Sequence, residues 1–495
     1  TLGDIKTANK LFDNAYETLL TTKGGRYQNY SREAIRIFEY LIPTYKLVGN
    51  GSDYRTKSEM FEVRVNRYYG KDNYYYSKVL FVEIQQNVIN QNWTSVAKNI
   101  NVILEKPNMI PLIHLDRANF LDLLADAYIE MDQYDEAEAA LDEATKIKAT
   151  LLGEDAPNYH MQLLDRATYY VNYTDKFKEA ETTYKYSLNE IVSKAIDHQH
   201  VKFITYLYQE INLFELTDRF DDAQKVSLEA TAIVEKRFGK MSVQYGTALQ
   251  KQANIDIYKG NYGVADTKLG EALALYVAKA TSKDNLEYAS VLETQARLYI
   301  IEGLYDDAEK NLKMAFKLSK RTLKSSKLSS SIEELAILYI HIGKYQETEE
   351  TLLKSISLRE KRFGVDNRSL INPFNQIGYL YFIKGDYARA EKYANRAMDI
   401  CKKTFGVNSI RYAESLKLYA DIHAAIGDYN NAQVTVITVM NIYRKIYGDN
   451  HIQVALVKND LALIKYYNKG SNTEIEQLFL SALTTIRTEL NENTP

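Results

Sequence analysis

The stretch KGDYARAEKY, residues 384–393, decides how the rest of this chain is read. A glycine stands two positions before an aromatic residue, and an alanine three positions after it. Glycine enters the left-handed backbone region at little steric cost, so Gly385 suits the end of a helix. Ala390 suits the close approach of a second helix, and Tyr387 fills the space beside that contact. The phrase describes the turn of a helical hairpin. Aligning its aromatic with similar phrases gives a register of anchors: Trp93, Tyr134, Phe177, Phe220, Tyr262, Tyr305, Tyr345, Tyr387 and Tyr429. Their spacings are 41, 43, 43, 42, 43, 40, 42 and 42 residues. A period near 42 kept through eight intervals marks a repeat array.

Other positions keep the same register. Three residues after the anchor lie Ala137, Ala180, Ala223, Ala265, Ala308, Thr348, Ala390 and Ala432, and nine before it Ala125, Ala253, Ala296, Ala336, Gly378 and Ala420. Tyr recurs six before it, at Tyr128, Tyr299, Tyr339 and Tyr381. A second mark closes the units: LLGEDAP (151–157), RFGKMS (237–242), RFGVDN (362–367), TFGVNS (404–409) and IYGDNH (446–451). Glycine there caps the second helix, and Asp, Asn or Ser starts the next one. Each hairpin leaves an apolar face that only the next hairpin covers.

Composition agrees with a helical array. Pro (6) and Gly (21) are few among 495 residues, and 45% of residues are hydrophobic, enough for a continuous interior. The formal charge is −3, and no local Lys/Arg cluster forms a nucleic-acid face; even Lys313–Lys327 spreads its cations around a helix. The one cysteine, Cys401, excludes an intramolecular disulfide framework and a thiolate metal cluster. No apolar run reaches the roughly 18 residues needed to span a bilayer. Running from Thr1, not Met, to Pro495, the chain reads as a processed or excised piece.

These features resemble the tetratricopeptide repeat, and the 42-residue period with its FG-x-D/N linker is similar to the kinesin light chain variety. The resemblance implies an all-α, right-handed superhelical solenoid of antiparallel helix pairs. The expected organisation is an N-terminal helical cap or divergent repeats over 1–73, about nine repeats over 74–470, and a degenerate closing repeat over 471–495. Within 1–73, two amphipathic stretches, IKTANKLFDNAYETLL and SREAIRIFEYLIPTYKL, precede an expected loop, GNGSD (49–53). One continuous rod is preferred to two independent domains.

No GxSxG, HExxH or P-loop phrase occurs. DHQH (197–200) falls where a linker is due and reads as a degraded linker, not a metal site. His423 stands where other copies carry Tyr and reads as a packing residue; Cys401 reads as a buried structural thiol. Asp135–Glu136 and Asp221–Asp222 suit the first turn of second helices. The aromatic run YYGKDNYYYSK (68–78) reads as another linker flanked by packing positions.

The resemblance also implies a groove lined by first helices, with the residues twelve and eight before each anchor pointing inward. These are Asp122 and Asp126, Asp165 and Tyr169, Tyr208 and Asn212, Gln250 and Asn254, Glu293 and Arg297, Glu333 and Ile337, Asn375 and Tyr379, and Lys417 and Asp421. Such a set can bond an extended peptide backbone through Asn and Gln, with Tyr adding contact area. The backbone-gripping Asn of the kinesin light chain pattern is matched only by Asn375, with Gln250 a stand-in; Glu293, Glu333 and Lys417 replace it elsewhere. The Lys and Asn clamp of chaperone-docking repeats is missing. The expectation is a non-enzymatic scaffold for a protein or peptide segment, without cofactor, metal, nucleic acid or membrane span. It would be a soluble protein of a bacterial cytoplasm or periplasm. Alternatives are the sensor arm of a larger protein with a caspase-like protease or kinase part, and self-association through an uncovered end repeat.

Overall fold

Every anchor named above is the first residue of a helix. The computed structural model describes residues 10, 11, 14, 51–131, 133–174, 176–192, 201–278, 286–321 and 325–491. The segments 5–20 and 31–47, except for residues 10, 11 and 14, and the DHQH phrase lie outside the described residues. Among those described, the order is α1 (Gly51–Tyr69), α2 (Tyr74–Ile89), α3 (Trp93–Leu104), α4 (Leu115–Glu130), α5 (Tyr134–Leu152), α6 (Pro157–Tyr173) and α7 (Phe177–Thr183). Helix α7 runs on as a π-helix, Tyr184–Val192. Next come α8 (Val201–Leu216), α9 (Phe220–Phe238), α10 (Val243–Tyr258), α11 (Tyr262–Ala278), α12 (Leu286–Glu302), α13 (Tyr305–Arg321), α14 (Ser325–His341) and α15 (Tyr345–Phe363). A 3₁₀ turn (Arg368–Leu370) leads into α16 (Ile371–Ile383). The described chain closes with α17 (Tyr387–Thr404), α18 (Ile410–Ala425), α19 (Tyr429–Tyr447), α20 (Ile452–Tyr467) and α21 (Asn472–Asn491).

The fold is all-α, built as consecutive packed helix pairs. First helices also touch the first helix of the next pair, as α10 does α12 and α16 does α18. Small residues make this possible. Ala265, Ala308, Thr348, Ala390 and Ala432 are fully buried, as are Ala253, Ala296 and Ala420 on the facing helices. At Gly378 even a Cβ would lie 2.9 Å from Leu418 Cδ2 and 3.3 Å from the Ala390 carbonyl oxygen. Large apolar residues fill what remains, for example Leu249, Leu269, Tyr276, Val291 and Leu298 around α10–α12. Anchor rings stack on the end of the following first helix: Phe220 on Tyr258 at 4.8 Å, Tyr305 on His341 at 5.7 Å, and Tyr429 on Tyr467 at 5.8 Å.

The linkers behave as local chemistry requires. Gly153, Gly239, Gly364 and Gly448 end their helices at φ between +76° and +86°. Asn73, Ser242, Asn367 and Ser409 then accept backbone N–H groups at the start of the next helix. Two expectations change. In IYGDNH the cap is His451, whose Nδ1 accepts from Gln453 N at 3.2 Å, not Asp449 or Asn450. The expected loop GNGSD is partly helical: α1 already begins at Gly51, so Ser52 and Asp53 belong to its first turn.

The chain divides into two compact units. Unit 1 comprises Thr1–Tyr169 and Lys185–Ala195, and unit 2 comprises Tyr170–Tyr184 and Ile196–Pro495.

Candidate partner-binding groove

Within unit 2 the first helices are joined by a ladder of polar side chains running from pair to pair. Asn254 of α10 donates from Nδ2 to Glu215 Oε1 of α8 at 2.8 Å. Arg297 of α12 donates from Nη1 to Asn254 Oδ1 at 3.0 Å, and from Nε and Nη2 to Glu334 Oε1 of α14 at 3.2 and 3.0 Å. Beside this row Lys251 Nζ donates to Asn212 Oδ1 at 2.7 Å, and Gln250 Nε2 to Thr294 Oγ1 at 2.8 Å. Further along, Arg359 pairs with Glu333, and Ser415 Oγ donates to Asn375 Oδ1 at 2.9 Å. Lys417 lies 3.0 Å from both Asp421 and Asp460. The charge of Glu334, opposed by burial, holds the Arg297 guanidinium in its charged form. Burial raises the Asp421 carboxyl against the pull of Lys417.

Many of the residues expected to face inward are therefore already held by neighbouring side chains. Tyr208 packs beside Ile204, Val234 and Ala248, and burial raises its phenol pKa. Tyr379 is 40% exposed and stacks on Phe382 at 6.1 Å. Ile337 packs against the cluster around Ala296 and Leu338. Glu293 is buried and offers a ligand little surface. In unit 1, Asp122 accepts from Lys148 at 2.8 Å and from Gln162 Nε2 at 2.7 Å; Asp126 is exposed and Asp165 half-buried. Tyr169 is buried and donates its hydroxyl to the Tyr134 carbonyl at 2.7 Å, so it too offers little surface.

Sequence reasoning missed Glu215, Lys251, Glu334 and Asp460. The signal was present. A helix turns 3.6 residues per cycle, so the positions twelve, eleven, eight and five before the anchor share one face. Lys251 and Glu334 stand at eleven, Glu215 at five, and Asp460 twelve before Asn472, where the tenth pair turns.

Groups that suggested chemistry are occupied in packing. The Cys401 thiol is buried beside Ser415 and its pKa is pushed up to about 12 by that burial. His423 is 8% exposed, lies against Tyr419 at 4.2 Å and reaches Asp428 at 3.1 Å. His114 caps α4 through Asp116 N at 3.1 Å. His160 meets Ser187 Oγ at 3.0 Å, and burial lowers its pKa. Asn73 of the YGKDN linker caps α2, with Tyr69 and Tyr75 packed at 4.3 Å beside it. No group of three metal-ligating side chains occurs among the described residues, and none of their helices is long and apolar enough to cross a membrane.

Stacked helix pairs with small residues at the crossings and a polar inner row define a class of helical repeat scaffold. Models of the tetratricopeptide repeat match residues 118–150 and, in overlapping stretches, 327–403 and 369–434. Over these stretches the chain carries tetratricopeptide repeats. Among solved structures, it is similar to BtubC (BKLC) from P. vanneervenii, at 17% identity over 47% of this chain and 92% of that one, with a TM-score of 0.36. A putative kinesin light chain from Podosopora anserina with nearly identical TPR-like repeats is similar at 20% identity over 40% of this chain and 95% of that one, TM-score 0.33. The APC/C hetero-tetramer Cut9–Hcn1 is similar at 14% identity over 93% and 91% of the two chains, TM-score 0.39. No curated protein matches the chain.

Proposed function

We propose that the chain is a non-enzymatic scaffold that binds an extended protein segment along the inner row of unit 2. A tetratricopeptide array is typically a non-catalytic scaffold that engages protein partners. The observation that carries the reading is the ladder from Glu215 through Asn254 and Arg297 to Glu334. Its side chains are already ordered by their neighbours, so a ligand bonding to them loses less conformational freedom on binding. Amides at Asn212, Gln250, Asn254 and Asn375 suit a peptide backbone, and the exposed Tyr379 suits an anchor side chain.

The test compares the full chain with a variant carrying Asn375→Ala and Tyr379→Ala. Each is used to capture partners from its native host, followed by mass spectrometry. A protein held by the native chain and lost from the variant, at unchanged helical circular dichroism, is the expected result. An identical captured set from both proteins rejects the inner row as the binding surface.

A further inference from the structure

One hairpin turn spends its special backbone position differently from the others. Two residues before the anchor, Gly260, Gly303, Gly343, Gly385 and Gly427 take the left-handed region at φ between +77° and +85°. Gln91 and Asp218 take the same region at the equivalent place, at +56° and +61°. Gln91 is exposed, whereas the Asp218 side chain is only 7% exposed. Aspartate tolerates this backbone better than most residues and less well than glycine.

Its carboxylate reaches far along the chain. Asp218 Oδ2 accepts the backbone N–H of Ile410 at 2.7 Å, across 192 residues. Ile410 is the first residue of α18, so this N–H has no partner within its own helix. Arg411 lies 3.5 Å from Asp218 and donates to the Leu216 carbonyl at 3.0 Å. Two further contacts join neighbouring stretches of the same unit. Arg368 donates to the Val171 carbonyl at 2.6 Å and sits 5.3 Å from the Phe177 ring, which stacks on Phe405 at 5.6 Å. Phe220 stacks on Tyr447 at 6.0 Å, their planes 7° apart.

Successive helix pairs are joined by apolar cores such as that of Leu352, Phe374, Ala394 and Leu418. The contacts between 171–220 and 368–447 are of another kind: hydrogen bonds, one ion pair and flat ring stacks. Their loss removes no pair's core, so they belong to the low end of the opening scale of a folded chain.

We propose that these contacts are a releasable clasp, closing unit 2 on itself between the α8–α9 turn and the start of α18, and opening while every helix pair stays folded. Closed, it brings Arg411 and Glu414 of α18 into the surroundings of Tyr258 at the end of α10, where the charges of Glu215 and Arg297 of the inner row also act. Open, it leaves that row accessible along its length. The proposal rests on the clasp geometry and stands whether or not the inner row binds a peptide.

The deciding variant is Asp218→Gly in the full chain, because glycine is the residue of the sister turns and leaves the hairpin unstrained. Expected are an unchanged far-ultraviolet circular dichroism spectrum, a larger radius of gyration by X-ray scattering, and exchange of the Ile410 amide faster by about tenfold or more. Arg368→Ala is a second, independent cut and moves the radius of gyration the same way. Unchanged scattering in both variants, with Ile410 exchange as slow as before in Asp218→Gly, overturns the clasp. Loss of the helical signal in both variants overturns it as well, because the contacts then belong to the core and are not releasable.

Discussion

The turns at residues 214–220 and 381–387 have the same backbone and different uses. In both, the N–H just before the anchor bonds five residues back: Arg219 to the Phe214 carbonyl at 2.8 Å, and Asp386 to the Tyr381 carbonyl at 2.9 Å. Both place a fully buried alanine three residues after the anchor, Ala223 and Ala390. At the left-handed position one has Asp218 and the other Gly385. Asp386 caps its own helix by accepting from Arg389 N at 3.1 Å, while Arg219 makes no cap and pairs with Glu181 and Asp222 instead. The repeat therefore requires a shape at this turn, and several side chains can adopt it. Where one accepts the strain, the position is released for a contact outside the hairpin.

The largest effects test what the two turns share. Ala223→Leu and Ala390→Leu each force an extra side chain into a close helix crossing, and each is expected to destabilise by about 1–3 kcal/mol, read as a lower urea midpoint at constant slope. Tolerance of one and not the other breaks the equivalence of the turns.

A smaller effect tests what they do not share. Gly385→Asp imposes the left-handed strain without a partner like Ile410, and a loss of about 1 kcal/mol is expected in the same urea titration. Asp218→Gly gains relief of that strain while losing its bonds, so its change in stability is smaller than that of Gly385→Asp. A larger loss at Asp218→Gly assigns Asp218 to the core.

The smallest effect concerns Glu414, one turn along α18 from Arg411. The residue as a whole is exposed, which screens the effect, yet desolvation of its carboxyl raises it to about 7, against the pull of Arg411 and with the help of Asp218. The folded state thus holds this proton more tightly than the unfolded chain, where a glutamate titrates near 4.5. Its stabilising share is complete below the unfolded value and lost as pH rises through about 7. Glu414→Gln is therefore expected to raise the melting temperature at pH 8 and leave it nearly unchanged at pH 4. Equal shifts at both pH values contradict the raised carboxyl.

Most of the architecture was legible because the rules behind it are local. A glycine at a helix end, an alanine at a crossing and an aromatic at the first position of the next helix act within a few residues of one another. Their recurrence placed all nine anchors at helix starts. The polar row was half legible: positions twelve and eight before the anchors include Asn254 and Arg297, but a two-position rule undersampled a helix surface and passed over Glu215, Lys251, Glu334 and Asp460. His451 as a cap was illegible because Asp449 and Asn450 are the more usual capping types, and only the backbone path selects among neighbours.

KGDYARAEKY and its copies, by themselves, determined that this chain is an array of helix pairs and where each pair turns. Only the tertiary structure decided that Asp218 faces Ile410, that Phe220 stacks on Tyr447, and that the inner residues bond to one another. The physical reason is distance along the chain. Hairpin geometry is set by neighbours a turn away, whereas a contact spanning 192 residues depends on the small rotation from each pair to the next, accumulated over several pairs and absent from any one of them.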